Sequence, residues 1–422
     1  MSSKTAGLVV AVVIALVVGI AAGYIVGHSK APTTQTAASG EVKVIKLGAL
    51  LPLTGALSSF GENDKAALEI AEEDINTFFN KTGLPYQVEI VFEDTETKPD
   101  VALQKLQSLY SQGIKFVIGP MSSAELRNLK GYADSNKIIL VSQSSTSPAL
   151  SIPGDYVFRL VPDDTFQGKV IAEVLKESGV KHVVIIWRGD DWGDGLKDSI
   201  KKNCEKQGIE VEEGVRYSPE TKEFSTEANR LASIVQQLVS KYGADSVGVV
   251  IISFTEGVQI MSQASKYDVL SEVKWFGSDG LAKCVELVKD PVAAEFAAKT
   301  KFCTPIAAAT KSAKYENVKE RVVAKLGREP EPYAYNSYDA AWILTLSIIV
   351  AGDYNPEKVK SVLPEIANSY FGASGWTKLN EAGDRASATY EIFGVEKVGG
   401  EYKWVEIGYY DAATEKFAPI TS

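Results

Sequence analysis

Beyond residue 42 the chain alternates short apolar runs with longer stretches of helical spacing. Val42–Leu51 reads as a strand, and Phe60–Phe79 sets Ala66, Ala67, Ile70, Ala71 and Ile75 along one helical stripe. The rhythm continues with strands at Val88–Phe92, Phe116–Ile118 and Ile138–Val141, separated by helices at Asp100–Ser111 and Ser122–Ser135. It resumes with strand His182–Trp187, helix Trp192–Gln207, strand Ile209–Val215, helix Phe224–Tyr242, strand Ser246–Ile252 and helix Glu256–Lys266. Strands that are apolar throughout are covered on both faces, so the pattern predicts parallel sheets with right-handed crossovers. This body is too long for one comfortable core, which makes two doubly wound α/β lobes the expectation. Near the end, Tyr390–Tyr410 alternates every second residue around Gly399-Gly400, predicting an antiparallel hairpin.

The N-terminus follows a different rule. Leu8–Gly27 is an unbroken apolar run of 20 residues, and a helix of that length crosses a hydrocarbon core of ~30 Å. Lys4 and the terminal amine favour a cytoplasmic N-terminus with the rest exported. We expect an uncleaved signal anchor, the alternative being a cleaved signal peptide. Ala31–Gly40 has no apolar period and reads as a flexible tether. The expected location is therefore the cell membrane, single-pass, with the body outside.

Charge and composition then remove whole classes of chemistry. The net charge is −10, and residues 1–40 contribute two lysines and no acids, so the body is acidic without a basic stripe. Nucleic-acid phosphates would be repelled. Two histidines and three cysteines are too few to build a metal or haem centre, so no cofactor is expected. Cys284 and Cys303 could pair in an oxidising compartment, or all three cysteines could stay reduced and buried. Asn80-Lys-Thr82 fits a short glycosylation triplet that recurs by chance. No phosphate loop, zincin motif or serine-hydrolase elbow is present, and His182 reads as a strand-edge residue rather than a catalytic base. Asp190–Gly195 lacks calcium-loop spacing and reads as a strand-to-helix turn capped by aspartates. An enzyme is not expected.

What remains are polar loops directly after predicted strands, where open α/β sheets bind ligands. Gly119–Glu125 follows Phe116–Ile118, and Ser122 with Glu125 has capping-box spacing, which leaves first-turn amides to seat a carboxylate. Ser142–Pro148 follows Ile138–Val141 and supplies hydroxyls and carbonyls at the next tip. In the second half Ser253-Phe254 and Gly277–Gly280 end strands, and Asp279 there could balance an ammonium or simply make a turn.

Ile45–Asn76 (IKLGALLPLTGALSSFGENDKAALEIAEEDIN) resembles the first βα unit of type I periplasmic solute-binding proteins, near the leucine/isoleucine/valine-binding branch of ABC importers. Further matches run in order through Val117–Pro120, Ser142–Leu150, Tyr156–Arg159 with Gln167-Gly168, Trp192–Gly195, Phe276–Gly280, Tyr338–Ala341 and Phe371–Arg385. The resemblance implies two lobes joined by three crossover strands, with residues 43–162 and 305–374 forming the first and 163–304 and 375–422 the second. Residues 1–7, 8–27 and 28–42 would be the cytoplasmic end, the membrane anchor and the tether. It further implies that Ser123 and Thr146 hold an amino acid's α-carboxylate, while the Ser144 carbonyl and the Asp279 side chain receive its α-ammonium. Phe254 would help fix the ligand backbone, and Phe60 and Met121 would line its side chain. Phe254 stands where the family usually has tyrosine, and Asp279 is shorter than the glutamate of branched-chain binders. The implied partners are a small amino acid and an ABC permease, for a monomeric receptor. An amide or urea receptor of the same fold, or a ligand sensor, is the alternative, although only about seven residues precede the apolar run for any cytoplasmic signalling part.

Overall fold

The computed structural model describes residues 42–387, 389–411 and 414–419. The expected membrane segment 8–27 and nearly all of the tether lie outside the described residues. Among the described residues no helix is long and apolar enough to cross a membrane.

Five strands, β1 (Lys43–Leu51), β2 (Tyr86–Asp94), β3 (Phe116–Ile118), β4 (Ile139–Ser142) and β5 (Val157–Arg159), form one sheet in the order 2-1-3-4-5. Every pairing in it is parallel. Strands β3, β4 and β5 are buried along their whole length, because helices cover both faces. Ser58–Thr82 and Tyr333–Ala351 close one face around Leu47, Phe116 and Tyr335. Pro99–Ser111 and Ser123–Asn136 close the other around Leu50, Leu106 and Leu140.

The second sheet begins with β6 (His182–Arg188), β7 (Glu210–Val211), β8 (Val215–Tyr217), β9 (Val247–Ile252), β10 (Lys274–Phe276) and β11 (Cys303–Ala307). A short two-stranded ribbon, β12 (Phe371–Gly372) and β13 (Gly375–Trp376), stands apart from it. The chain ends in β14 (Tyr390–Val398), β15 (Glu401–Asp411) and β16 (Lys416–Pro419), which add antiparallel to β11. The sheet order is 16-15-14-11-10-9-6-7, with β8 also on β6. The hairpin turns at Gly399-Gly400, as the alternation predicts; both glycines have positive φ. The expected single strand Ile209–Val215 is two short ones. Gly214 separates them, pressed so close to β6 that a Cβ there would lie 2.2 Å from the Ile185 carbonyl oxygen.

Three chain segments pass between the sheets, near residues 160–163, 307–309 and 385–387. The expected boundaries at 304/305 and 374/375 need correction. Cys303–Ala307 is a full strand of the second sheet, and Leu379 and Asp384 still belong to the first lobe. The reason is an ion pair. Arg159 is fully buried, and its guanidinium grips Asp384 through Nε–Oδ1 at 2.6 Å and Nη2–Oδ2 at 2.7 Å, which holds the late segment against β5. All three cysteines are free and buried, so Cys284 and Cys303 are not paired. Burial pushes the Cys204 and Cys303 thiols up to about 12, as inert structural thiols require.

Removing one partner of such a pair leaves the other charge buried and uncompensated. Arg159→Leu should lower unfolding free energy by about 3–5 kcal/mol, read as a lower urea midpoint. A midpoint within error of the parent would contradict this.

Candidate ligand-binding site

The carboxyl ends of the parallel strands in both sheets face one cavity. From the first lobe come Leu57 and Phe60 after β1, Met121, Ser122 and Ser123 after β3, and Ser144 and Thr146 after β4. From the second come Trp192 after β6, Phe254 after β9, and Asp279 and Gly280 after β10. Tyr333, opening its helix, completes the lining. The structure thus brings together all seven residues singled out in the sequence: Ser123, Ser144, Thr146, Phe254, Asp279, Phe60 and Met121. The cavity is about 30 Å³, room for two or three water-sized groups.

The donor side is built by a helix start and a serine loop. Ser122 caps Ser123–Asn136 with a complete capping box: its Oγ accepts from the Glu125 amide, and Glu125 in turn accepts from the Ser122 amide at 3.0 Å. The box consumes two amides and leaves those at the first helical positions outside the helix ladder. Ser123 Oγ accepts from Ser145 Oγ at 3.0 Å and from the Ser147 amide at 3.1 Å. A hydroxyl has two lone pairs and one proton, so Ser123 is left with a proton to donate. Thr146 Oγ1 is buried without a partner among the described residues. The Ser144 hydroxyl is spent on the Met121 carbonyl at 2.9 Å.

Acceptors come from the other lobe. Asp279 Oδ2 accepts from the Tyr333 hydroxyl at 2.6 Å, and the Asp279 amide donates to Gln167 Oε1 at 3.0 Å. Gln167 Nε2 donates to Asp164 Oδ1 at 2.9 Å, so one amide bridges two buried acids. Asp279 Oδ1 and Asp164 Oδ2 are both buried without partners among the described residues. Burial pushes both carboxyls above the usual range, and the Asp279 charge adds to the rise at Asp164. Asp279, which lines the cavity, keeps one oxygen beyond its bond from Tyr333 for a cationic donor.

The apolar wall crosses between the lobes. Phe254 stacks on Trp192 at 4.7 Å, and Arg188 covers the Phe254 ring at 4.6 Å. Gly280 is required here, because a Cβ would lie 2.6 Å from the Ser253 carbonyl and 2.8 Å from Trp192. Direct bonds also join the lobes: Thr255 Oγ1 donates to the Ala56 carbonyl at 2.7 Å, and Arg127 pairs with Asp191 at 3.1 Å. The lobes are closed on each other.

Sequence reasoning missed Trp192 and Tyr333, which line the cavity, and Asp164, which Gln167 joins to Asp279. Trp192 follows a strand tip, so the rule that found Phe254 would have found it too. Tyr333 opens a helix that no strand tip announces, and β5, the strand before Asp164, is too short for the pattern to predict. His182 opens β6 at the end away from the cleft, stacked on Tyr242 with Nδ1 3.2 Å from both Glu210 and Glu212. Asp190 caps its helix, accepting from the Gly193 amide at 2.9 Å.

A cleft between two doubly wound lobes, with donors on one side and acids on the other, defines a solute-binding protein of the type I periplasmic kind. The chain belongs to the family described as "Receptor family ligand binding region", whose model matches residues 63–397. An uncharacterized protein of Methanocaldococcus jannaschii is 36% identical over 91% of this chain and 94% of its own length. "Leu/Ile/Val-binding protein homolog 3" of Brucella melitensis is 25% identical over 84% of this chain and 92% of its own. Among solved structures, the leucine-binding protein LivK of Thermotoga maritima superposes with a TM-score of 0.74 at 23% identity, covering 88% of this chain and 99% of that one. LivJ of Streptococcus pneumoniae, in complex with isoleucine, gives 0.70 at 21% identity, covering 86% and 100%.

The raised carboxyls carry a pH signature. A carboxyl whose folded pKa lies above its unfolded value destabilises the native state at high pH, and the penalty fades as pH falls through the folded pKa. Ligand-free Asp279→Asn should therefore be more stable than the parent at pH 7, with the gap closing toward pH ~4. Parallel stability–pH curves for the two proteins would contradict it.

Proposed function

We propose that the protein is the extracytoplasmic receptor of an ABC importer, binding an amino acid in the interlobe cleft and presenting it to a membrane permease. The observation that carries this reading is one cavity lined by Ser123 and Thr146 from the first lobe and, from the second, by Asp279, whose Oδ1 is buried without a partner among the described residues. A zwitterion satisfies both sides at once: its carboxylate takes donors from the first lobe and its ammonium gives protons to the second. Charge-assisted bonds of this kind discriminate against ligands lacking either group. The named Leu/Ile/Val-binding relatives support the ligand class. An amide or urea brings no cation to Asp279, which favours the amino acid.

The cavity between the closed lobes is about 30 Å³, so loading proceeds by the lobes parting and reclosing around the ligand. Ligand touching both lobes then shifts the hinge equilibrium toward the closed form, which a permease can distinguish by shape. We propose that residues 8–27 anchor the receptor beside that permease and that it acts as a monomer without enzymatic activity.

A thermal-shift screen against the common amino acids and small amides tests the reading. One amino acid at 100 times its dissociation constant should add ~2.7 kcal/mol of stability, and Asp279→Ala should abolish the response. Retained affinity in that variant, or a response to neutral amides alone, would refute the assignment.

A further inference from the structure

Behind the first-lobe wall of the cleft lies a second polar cluster that ligand binding leaves unused. Asn63 and Asp64 come from the second turn of the helix Ser58–Thr82, and Gln143 comes from the serine loop. Glu331 lies just before the helix Tyr333–Ala351, and Ser337 lies on its second turn. All five are buried. Gln143 Nε2 donates to Asp64 Oδ2 at 2.6 Å, and Asn63 Nδ2 donates to Glu331 Oε2. Those two bonds fix which atoms remain. Asn63 Oδ1, Gln143 Oε1 and Glu331 Oε1 are buried without a partner among the described residues, and Asp64 Oδ1 and Ser337 Oγ have none beyond the interaction of those two side chains with each other.

Four of these five are acceptors only, so they cannot satisfy one another. Flipping either amide would set its oxygen against a carboxylate. Lys283 and Arg328 draw the Glu331 carboxyl down from nearby but bond other groups: Lys283 Nζ donates to the Pro330 carbonyl at 3.0 Å, and Arg328 Nη2 reaches the Ser59 carbonyl at 3.0 Å and Glu62 at 2.8 Å, while Arg328 Nε is buried without a partner among the described residues. Burial and the facing Glu331 charge raise the Asp64 carboxyl well above its usual range, and burial pushes Glu331 up to about 7. Two acids and two amide oxygens buried with fewer donors than acceptors are an arrangement that costs stability unless something positive sits among them.

We propose that Asn63, Asp64, Gln143, Glu331 and Ser337 form a binding site for one calcium ion. The donor set is all oxygen, as a hard cation requires, and contains no thiol or imidazole that would select a softer metal. Two carboxylates balance a divalent charge, whereas sodium would leave one negative charge buried. Magnesium retains several waters in a strict octahedron; calcium takes 6–8 oxygens at ~2.3–2.6 Å in flexible geometry, which suits side chains converging from three segments. The site is joined to the cleft through the chain. Gln143 precedes Ser144, and Glu331 lies two residues before Tyr333, whose hydroxyl holds Asp279. An ion here would tie together the elements that carry both walls.

The test uses the full-length protein, purified in detergent, stripped with a chelator and held free of amino acids, so that it does not depend on the ligand reading. Calorimetric titration with calcium chloride should show one equivalent bound, accompanied by a higher melting temperature. Asp64→Asn and Glu331→Gln, each nearly isosteric, should each weaken calcium binding at least tenfold; should one fail to fold, the other decides. Parallel titrations with magnesium and sodium should show weaker binding. The proposal is overturned if the parent shows no calcium response, if magnesium or sodium binds more tightly, or if a folded variant keeps the parent's calcium affinity. Variants that are merely more stable than the parent, with no calcium response in either, would mark the cluster as a shared-proton or hydrated network and equally overturn it.

Discussion

The Arg159 guanidinium is the interaction on which the site rests. Besides gripping Asp384, its Nη1 donates to the Ser145 and Ser147 carbonyls at 3.1 and 2.8 Å. One buried side chain therefore pins the serine loop to a distant segment of sequence. That loop in turn spends the Ser145 hydroxyl and the Ser147 amide on Ser123. The donor character of Ser123 is thus set two steps away, by a charge that never touches the cavity. A buried pair of this kind gives little net stability compared with apolar packing, but breaking it is costly. Its value here is positional.

The same economy governs the acidic side. Gln167 bridges Asp164 and Asp279, and Tyr333 takes one oxygen of Asp279, so each acid keeps one oxygen turned out of the network. Tyr333 reaches Asp279 from a helix packed on the first sheet, which means the acid is oriented correctly only when the lobes meet. Cleft closure and site assembly are then one event. The apolar contact of Phe60 and Met121 with the layer containing Trp192 and Phe254 favours that event without specifying a ligand; the unmatched polar atoms provide the specification.

Much of this was legible in the sequence because strand tips are easy to find. A run such as Phe116–Ile118 or Val247–Ile252 is apolar on both faces, and whatever polar group follows it must emerge at the sheet's carboxyl edge. Ser123, Ser144, Thr146, Phe254 and Asp279 were all located that way before the family resemblance gave them roles. Tyr333 was not, since it reaches the cleft from a helix start whose direction depends on how the lobes are joined. The late lobe boundary was missed for a related reason: Asp384 is held by Arg159 across 225 residues, a pairing without local periodicity. The split of Ile209–Val215 turned on one glycine packed against a neighbouring backbone, which an apolar pattern does not register.

These observations give the charge of the body a structural meaning. An acidic surface is ordinary, but buried acids with an oxygen left unpartnered among the described residues are not, and Asp279 in the cleft and Asp64 and Glu331 behind it are such acids. Desolvation makes each of them unfavourable in the ionised form, and the apolar closure that seals the cleft increases that penalty. The shut, empty state is therefore strained electrostatically by the same contacts that favour it hydrophobically. A cationic group arriving in the cleft relieves the strain where it meets Asp279, which the Tyr333 hydroxyl orients from an element packed on the other lobe. The free energy released by neutralising the acids is consequently available to hold the lobes shut, which is how a small solute can control the shape of a protein this large.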